Sequence, residues 1–161
     1  MRISVGDKLP EATFTSMTAE GPTQLTSNDV FAGRKVVLVA VPGAFTPTCH
    51  VQHLPGFIEH AEAMKAKGVD TVACVSVNDV FVLGAWAEKS GASDKVTFLA
   101  DGNADFTKAI GMDLDASGFG MGIRSHRYAM IVDDGKVTAL NVEDVPSSAE
   151  ASSAEAILAA L

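Results

Sequence analysis

Cysteine is almost absent from this 161-residue chain, which carries Cys49 and Cys74 and no third. A domain of 16.7 kDa can bury its own core, so these two are not the staples of a disulfide framework. The C-x-x-C pair of a thiol–disulfide oxidoreductase is missing as well, because Thr46 stands three residues before Cys49 and Gln52 three after. No apolar run approaches the ~20 residues of a bilayer span. The opening MRISVGDKLP lacks the apolar stretch of a secretory leader, which predicts a cytoplasmic protein with reduced thiols. Basic residues are also scarce: 12 Lys and Arg against 20 Asp and Glu give a net charge of -8. A field of that sign repels phosphate backbones and anionic lipid, so neither nucleic acid nor a membrane is expected as a partner. Linkers, repeats and low-complexity tracts are missing too. With 47% apolar and 20% charged residues, the composition predicts one globular domain over residues 1–161.

What is present reads as alternating strands and helices. Pro10, Gly21 and Pro22 punctuate the amino-terminal segment, which predicts a small hairpin or an extended arm. Lys35–Val41 (KVVLVAV) is a continuous valine-rich run, the pattern of a strand covered on both faces. From about Thr48 the chain turns helical, with Leu54, Phe57, Ile58, Ala61 and Met64 at three- and four-residue spacing. Lys65-Ala66-Lys67-Gly68 ends that helix, and Pro55 predicts a kink near its start. Thr71–Val77 is a second valine-rich strand, after which Asn78-Asp79 caps a helix carrying Val82, Leu83, Trp86 and Ala87. Val96–Ala100 reads as a strand, Ala104–Ile110 as a short helix and Gly111–Gly122 as a loop. Tyr128–Asp133 and Val137–Val142 are strands joined through Asp134-Gly135, a hairpin signal. Ser147-x-x-Glu150 and Ser152-x-x-Glu155 are capping-box patterns before an alanine-rich helix ending at Leu161. The order predicts an α/β domain: a mixed central sheet with helices on both faces.

The chemistry is concentrated in Pro42-Gly43-Ala44-Phe45-Thr46-Pro47-Thr48-Cys49. This string sets Cys49 just after a strand-to-helix loop, within the first turn of the helix. Unpaired N–H groups and the positive end of the helix dipole favour a thiolate there, and the thiolate is the nucleophilic form. Thr46 can offer its hydroxyl to the sulfur or to a bound oxygen, and the prolines stiffen the loop. An arbitrary lone cysteine in a helix is more often a small buried hydrophobe. The Pro-Gly turn and the helix start tilt this one toward reactivity.

Pro42-x-x-x-Thr46-x-x-Cys49 resembles the peroxiredoxin active-site pattern, and PGAFTPTC followed by His53-Leu54-Pro55-Gly56-Phe57 resembles the type II (fifth) subfamily. GDKLP near the start, CVSVND around Cys74 and IRSHRYAMIVDDG at Ile123–Gly135 extend the resemblance over nearly the whole chain. It implies a thioredoxin-like fold and a thiol peroxidase acting on hydrogen peroxide and alkyl hydroperoxides. Cys49 would attack a peroxide oxygen and become a sulfenic acid while water or alcohol departs. Pro42 would shield the thiolate and Thr46 would orient the peroxide. Arg127 matches the family's active-site arginine, whose fixed charge would favour the thiolate and the charge developing on the peroxide oxygens. By residue pattern alone, an arginine opening an apolar strand is an edge charge. Arg124, three residues earlier, is the fallback.

Cys74 lies inside TVACVSV, where a buried hydrophobe is the ordinary reading. In some plant type II members the cysteine at this position closes a disulfide with the peroxidatic one, so Cys74 is a possible resolving residue. A helix start and a mid-strand position do not readily meet the ~5.5 Å Cα spacing of a disulfide. Other type II members carry a resolving cysteine near the carboxyl terminus, where this chain has serines. The expected reductant is therefore external, glutathione or glutaredoxin first and thioredoxin second. A redox sensor whose oxidation at Cys49 changes a partner is the alternative reading. A homodimer is implied by the resemblance, with the region of Phe45, Phe119 and Trp86 packing or bordering an interface. Cys49, His50 and His53 form a C-H-x-x-H cluster, but only Cys49 and His53 would share a helix face, so no metal is expected. Gly118-Phe119-Gly120-Met121-Gly122 precedes a strand and opens no helix, so it is not a dinucleotide loop and no cofactor is expected.

Overall fold

The computed structural model describes residues 2–47, 53–92, 94–145 and 148–161. The valine run at Lys35–Val41 forms the centre of the fold as β3, with β1 (Thr13–Thr18), β2 (Gly21–Thr26) and the short α1 (Ser27–Phe31) before it. Val37, Val39 and Val41 enter one apolar cluster and Val36, Leu38 and Ala40 the other, as alternation requires of a strand with two covered faces. Three further elements pack on the first face: α2 (Leu54–Ala66) through Phe57 and Met64, α3 (Val80–Lys89) through Leu83 and Trp86, and α5 (Ala154–Ala160) through Ile157. On the second face lie α1 and α4 (Asp105–Ala109), through Phe31 and Phe106. With β4 (Thr71–Ser76), β5 (Thr97–Ala100), β8 (Tyr128–Asp133) and β9 (Lys136–Val142), the sheet runs β2-β1-β5-β4-β3-β8-β9. β3, β4 and β5 are parallel and the outer pairings antiparallel, the expected mixed sheet.

Local chemistry accounts for most element ends. Asp79 caps α3 by accepting from the backbone N–H of Val82 at 2.8 Å. Asp134 and Gly135 turn β8 into β9 with φ of 49° and 80°, the left-handed pair that a two-residue hairpin needs. The amino-terminal segment is the hairpin β1–β2, and β1 also pairs with β5.

Pro55 stands in the first turn of α2; the preceding residues 48–52, where the expected helix begins, lie outside the described residues. His53, just before α2, holds helical backbone at φ -74°, ψ -59°. Three expectations change in detail. Val82 is exposed and Val80 takes its place in the core. The segment expected as a loop contains β6 (Asp113–Asp115) and a 3-10 turn (Ser117–Phe119), and β6 pairs with β7 (Ile123–Ser125). An Asp-Leu-Asp strand is too short to show a period, so only its partner reveals it. Finally, α5 is capped by Ser153, whose hydroxyl accepts from Ala156, while Ser152 turns inward.

Tyr128 opens β8 fully buried, and among the described residues its hydroxyl has no hydrogen-bond partner. Burial holds that phenol well above its ordinary pKa, hence neutral. Removing an unpaired buried hydroxyl without changing the ring removes a desolvation cost. Tyr128→Phe is therefore expected to raise stability by about 1 kcal/mol, read as a higher denaturation midpoint at an unchanged slope.

Candidate active site

The loop after β3 is built by close approach. Gly43 is buried, and a Cβ there would lie 3.2 Å from Thr46 Cγ2 and 3.3 Å from both Arg124 Nη1 and Met121 Cε, which is why glycine follows Pro42. Thr46 Oγ1 donates to the Gly43 carbonyl at 2.7 Å, closing the turn on itself. Asn78, just past β4, accepts from Ala44 N–H at 3.0 Å and from Ser76 Oγ at 2.5 Å, tying the loop to the neighbouring parallel strand. Phe45 takes a left-handed φ of 64°, uncommon for an aromatic residue, and sets its ring 6.4 Å from that of Trp86. Pro42 is buried at the root of the loop and Thr46 half-buried at its end. Cys49 and His50 fall among residues 48–52, outside the described residues.

The two candidate arginines separate. Arg124, on β7, donates from Nη1 to the Val77 carbonyl and from Nε to the Met121 carbonyl, each at 3.0 Å. It staples the β6–β7 hairpin to the end of β4. Arg127, just before β8, is 2% exposed and donates from Nη1 to His53 Nδ1 at 2.9 Å. Arginine has no acceptor, so Nδ1 must carry the lone pair. Nε2 then carries the proton and donates to the Ser152 carbonyl at 2.9 Å. Both ring nitrogens of His53 are thereby committed, leaving no lone pair for a metal. Behind this contact, Ser152 donates from its backbone N and from Oγ to Glu143 Oε2, each at 2.6 Å.

This assembly brings Thr46, Gly43 and Arg124 together in one cluster and Arg127 and His53 in another. Cys74 belongs to neither. It is fully buried in β4, in register with Val39 of β3 and Phe98 of β5. Sequence reasoning missed Ser152 and Glu143, since a Ser-x-x-Glu pattern before a helix signals a cap and not an inward-facing serine.

The electrostatics follow from the partners. Burial chiefly, aided by the Arg127 charge and opposed by the Ser152 carbonyl and Glu143, lowers the His53 pKa to about 4. Desolvation opposes ionisation of Glu143, but hydrogen bonds from the Ser152 side chain and backbone and the Ala151 backbone outweigh it, holding the carboxyl below its ordinary range. Between pH 6.5 and 4 the unfolded chain protonates His53 while the folded one does not. Stability from this residue is complete above 6.5 and is lost as pH falls toward 4, by about 3 kcal/mol. Denaturation across that window should show the slope, and His53→Gln should flatten it; an unchanged slope in the variant would contradict the assignment.

Known proteins resemble the chain over nearly its whole length. The redoxin family profile matches residues 4–158. The chain is 52% identical over 164 residues to chloroplastic peroxiredoxin-2E-2 of Oryza sativa subsp. japonica, covering 99% of this chain and 72% of that one. Mitochondrial peroxiredoxin-2F of Arabidopsis thaliana is 47% identical over 131 residues, covering 81% and 65%. Reduced Prx3 of Vibrio vulnificus, solved with hydrogen peroxide, superposes with a TM-score of 0.93 at 56% identity over 98% of each chain. These relatives overturn the cytoplasmic expectation, since two of them are chloroplastic and mitochondrial by name. A folded domain of this composition suits several compartments, so composition does not fix one. The fold, the family profile and these identities lead to one conclusion: the chain belongs to the type II peroxiredoxins and is a thiol peroxidase of thioredoxin-like fold.

Proposed function

We propose that Cys49 is the peroxidatic nucleophile, with Pro42, Thr46 and Arg127 as its active-site partners. The Cys49 thiolate attacks one oxygen of a hydroperoxide, the O–O bond breaks, and the sulfur becomes a sulfenic acid as alkoxide or hydroxide leaves and takes a proton. Pro42 at the loop root limits water at the sulfur. Thr46 offers its hydroxyl oxygen to the incoming peroxide, and Arg127 supplies the fixed positive charge that favours both the thiolate and the departing oxygen. The observation that supports this most is the buried Arg127 guanidinium, hydrogen-bonded to His53 four residues after Cys49.

The reductant we propose is external: one glutathione displaces water from the sulfenic acid to form a mixed disulfide, and a second thiol, on glutathione or glutaredoxin, releases Cys49. Complete burial of Cys74 within the sheet supports this over an internal disulfide. Thioredoxin is the second reductant to compare. A homodimer goes with the reading, supported by the exposed apolar side chains Phe45, Phe81, Phe119 and Ile123.

Intact mass after one equivalent of peroxide, without reductant, tests the route. A gain of about sixteen mass units, turning into a glutathione adduct on addition of the tripeptide, is expected. A loss of about two units, abolished by Cys74→Ser, would instead make Cys74 the resolver.

A further inference from the structure

Arg127, His53 and Glu143 are three buried ionisable residues joined through Ser152, and the connection closes into a ring. Glu143 donates its backbone N–H to the Arg127 carbonyl at 3.0 Å, continuing the β8–β9 register, so the arginine's main chain is held from the same residue. From the Glu143 carboxylate the path runs to the backbone and hydroxyl of Ser152, from the Ser152 carbonyl to His53 Nε2, and from His53 Nδ1 to the arginine's guanidinium. The Ser152 hydroxyl also lies 3.2 Å from His53 Nε2. Ser152 is fully buried and sits 99 residues from His53, so the ring exists only when the carboxyl-terminal segment is docked. That docking is made by α5 against α2.

We propose that Glu143 and Ser152 are positioning residues of the peroxidase reaction, which orient the Arg127 guanidinium through His53 and thereby make its alignment depend on the docked carboxyl-terminal segment. The inference rests on the reading of Arg127 given above. Its physical content is a division of labour. The Ser152 carbonyl can only accept, so it fixes the Nε2–H tautomer and leaves Nδ1 as an acceptor aimed at the guanidinium. A neutral imidazole there fixes the cation's direction without cancelling its charge, whereas a carboxylate in the same place would weaken the field meant for the peroxide oxygens. The Glu143 carboxylate meets Ser152 through Oε2, accepting from its backbone N–H and its hydroxyl. Its role is to hold Ser152 by two charge-assisted hydrogen bonds.

The test uses the full chain and two rates: single-turnover oxidation of Cys49 by hydrogen peroxide, and alkylation of its thiolate by a neutral reagent at the alkaline plateau. Glu143→Ala is expected to slow oxidation by about 10- to 100-fold, the range of indirect positioning effects, and to leave plateau alkylation within about twofold. Glu143→Gln, which keeps an oxygen on Ser152, should recover most of that loss. In an Arg127→Gln background, Glu143→Ala should add little, because the two act in series. Ser152→Ala, which deletes only the hydroxyl, is the second variant should Glu143→Ala fail to fold, and about a 3- to 10-fold slowing is expected. Slowed oxidation in Arg127→Gln with wild-type rates in folded Glu143 and Ser152 variants would overturn the inference alone. A wild-type rate in Arg127→Gln would overturn the reading beneath it. Equal slowing of oxidation and alkylation would reduce the network to a structural role.

Discussion

Replacing Cys49 by serine is expected to lower peroxide turnover by roughly 10⁴-fold or more, the scale seen when a covalent nucleophile is removed. Two properties of sulfur are lost together. A thiol can ionise near neutral pH when a neighbouring cation favours the thiolate, as proposed for Cys49 and Arg127, while a serine hydroxyl remains protonated there. Sulfur can also accept the peroxide oxygen as a sulfenic acid and lose it as water when a second thiol attacks to form a disulfide, a cycle with no serine counterpart. The assay is hydrogen peroxide loss in the presence of glutathione and glutaredoxin, with thioredoxin as a parallel reductant. Activity within about tenfold of the parent would remove Cys49 from the mechanism. Cys74→Ser in the same assay is expected to stay within about threefold, because the proposed route reduces the sulfenic acid from outside and Cys74 is buried between β3 and β5. A parent protein that stops after one equivalent with every thiol would favour the sensor reading over turnover.

Residues whose local chemistry also decides their place were legible in the sequence. Lys35–Val41 reads as a doubly covered strand because alternate valines must enter two cores, and they do. Asp79 and Asp134-Gly135 carry their structural meaning within a few residues, as a cap and a turn. Residues whose role is set by a partner far along the chain stayed hidden. Ser152 and Ser153 look equivalent as caps, yet one binds its own helix and the other faces His53 and Glu143. Asp113–Asp115 becomes a strand because Ile123–Ser125 returns beside it, held down by Arg124 on Val77. His53 illustrates the same limit within the site. Its spacing from Cys49 carries no metal expectation and gives no sign that its nitrogens face an arginine and a carbonyl from two other parts of the chain.

For Arg127 the expected result is a loss of roughly 10²- to 10³-fold in kcat/KM for hydrogen peroxide on substitution by glutamine, the magnitude of removing one electrostatic stabiliser from a desolvated site. Arg127→Lys keeps the charge but loses the planar fork, so recovery should be partial, leaving about a tenfold deficit. The variant also moves two pH profiles in predictable directions. Without the cation the Cys49 alkylation midpoint should rise, because the thiolate loses a favourable charge. At His53 the same loss acts the other way: Arg127 lowers its pKa, so removing it should raise the value from about 4 toward 6.5 and narrow the window in which stability falls with acid. The glutamine also leaves the buried Nδ1 dependent on a weaker donor, at a stability cost of about 1 kcal/mol, so rates belong at a temperature where the variant is folded. Arg124→Gln is the contrast. It removes hydrogen bonds to the Val77 and Met121 carbonyls and should loosen the β6–β7 hairpin while leaving the His53 profile in place. If Arg124→Gln raised the thiolate midpoint and Arg127→Gln did not, the two arginines would have to exchange roles.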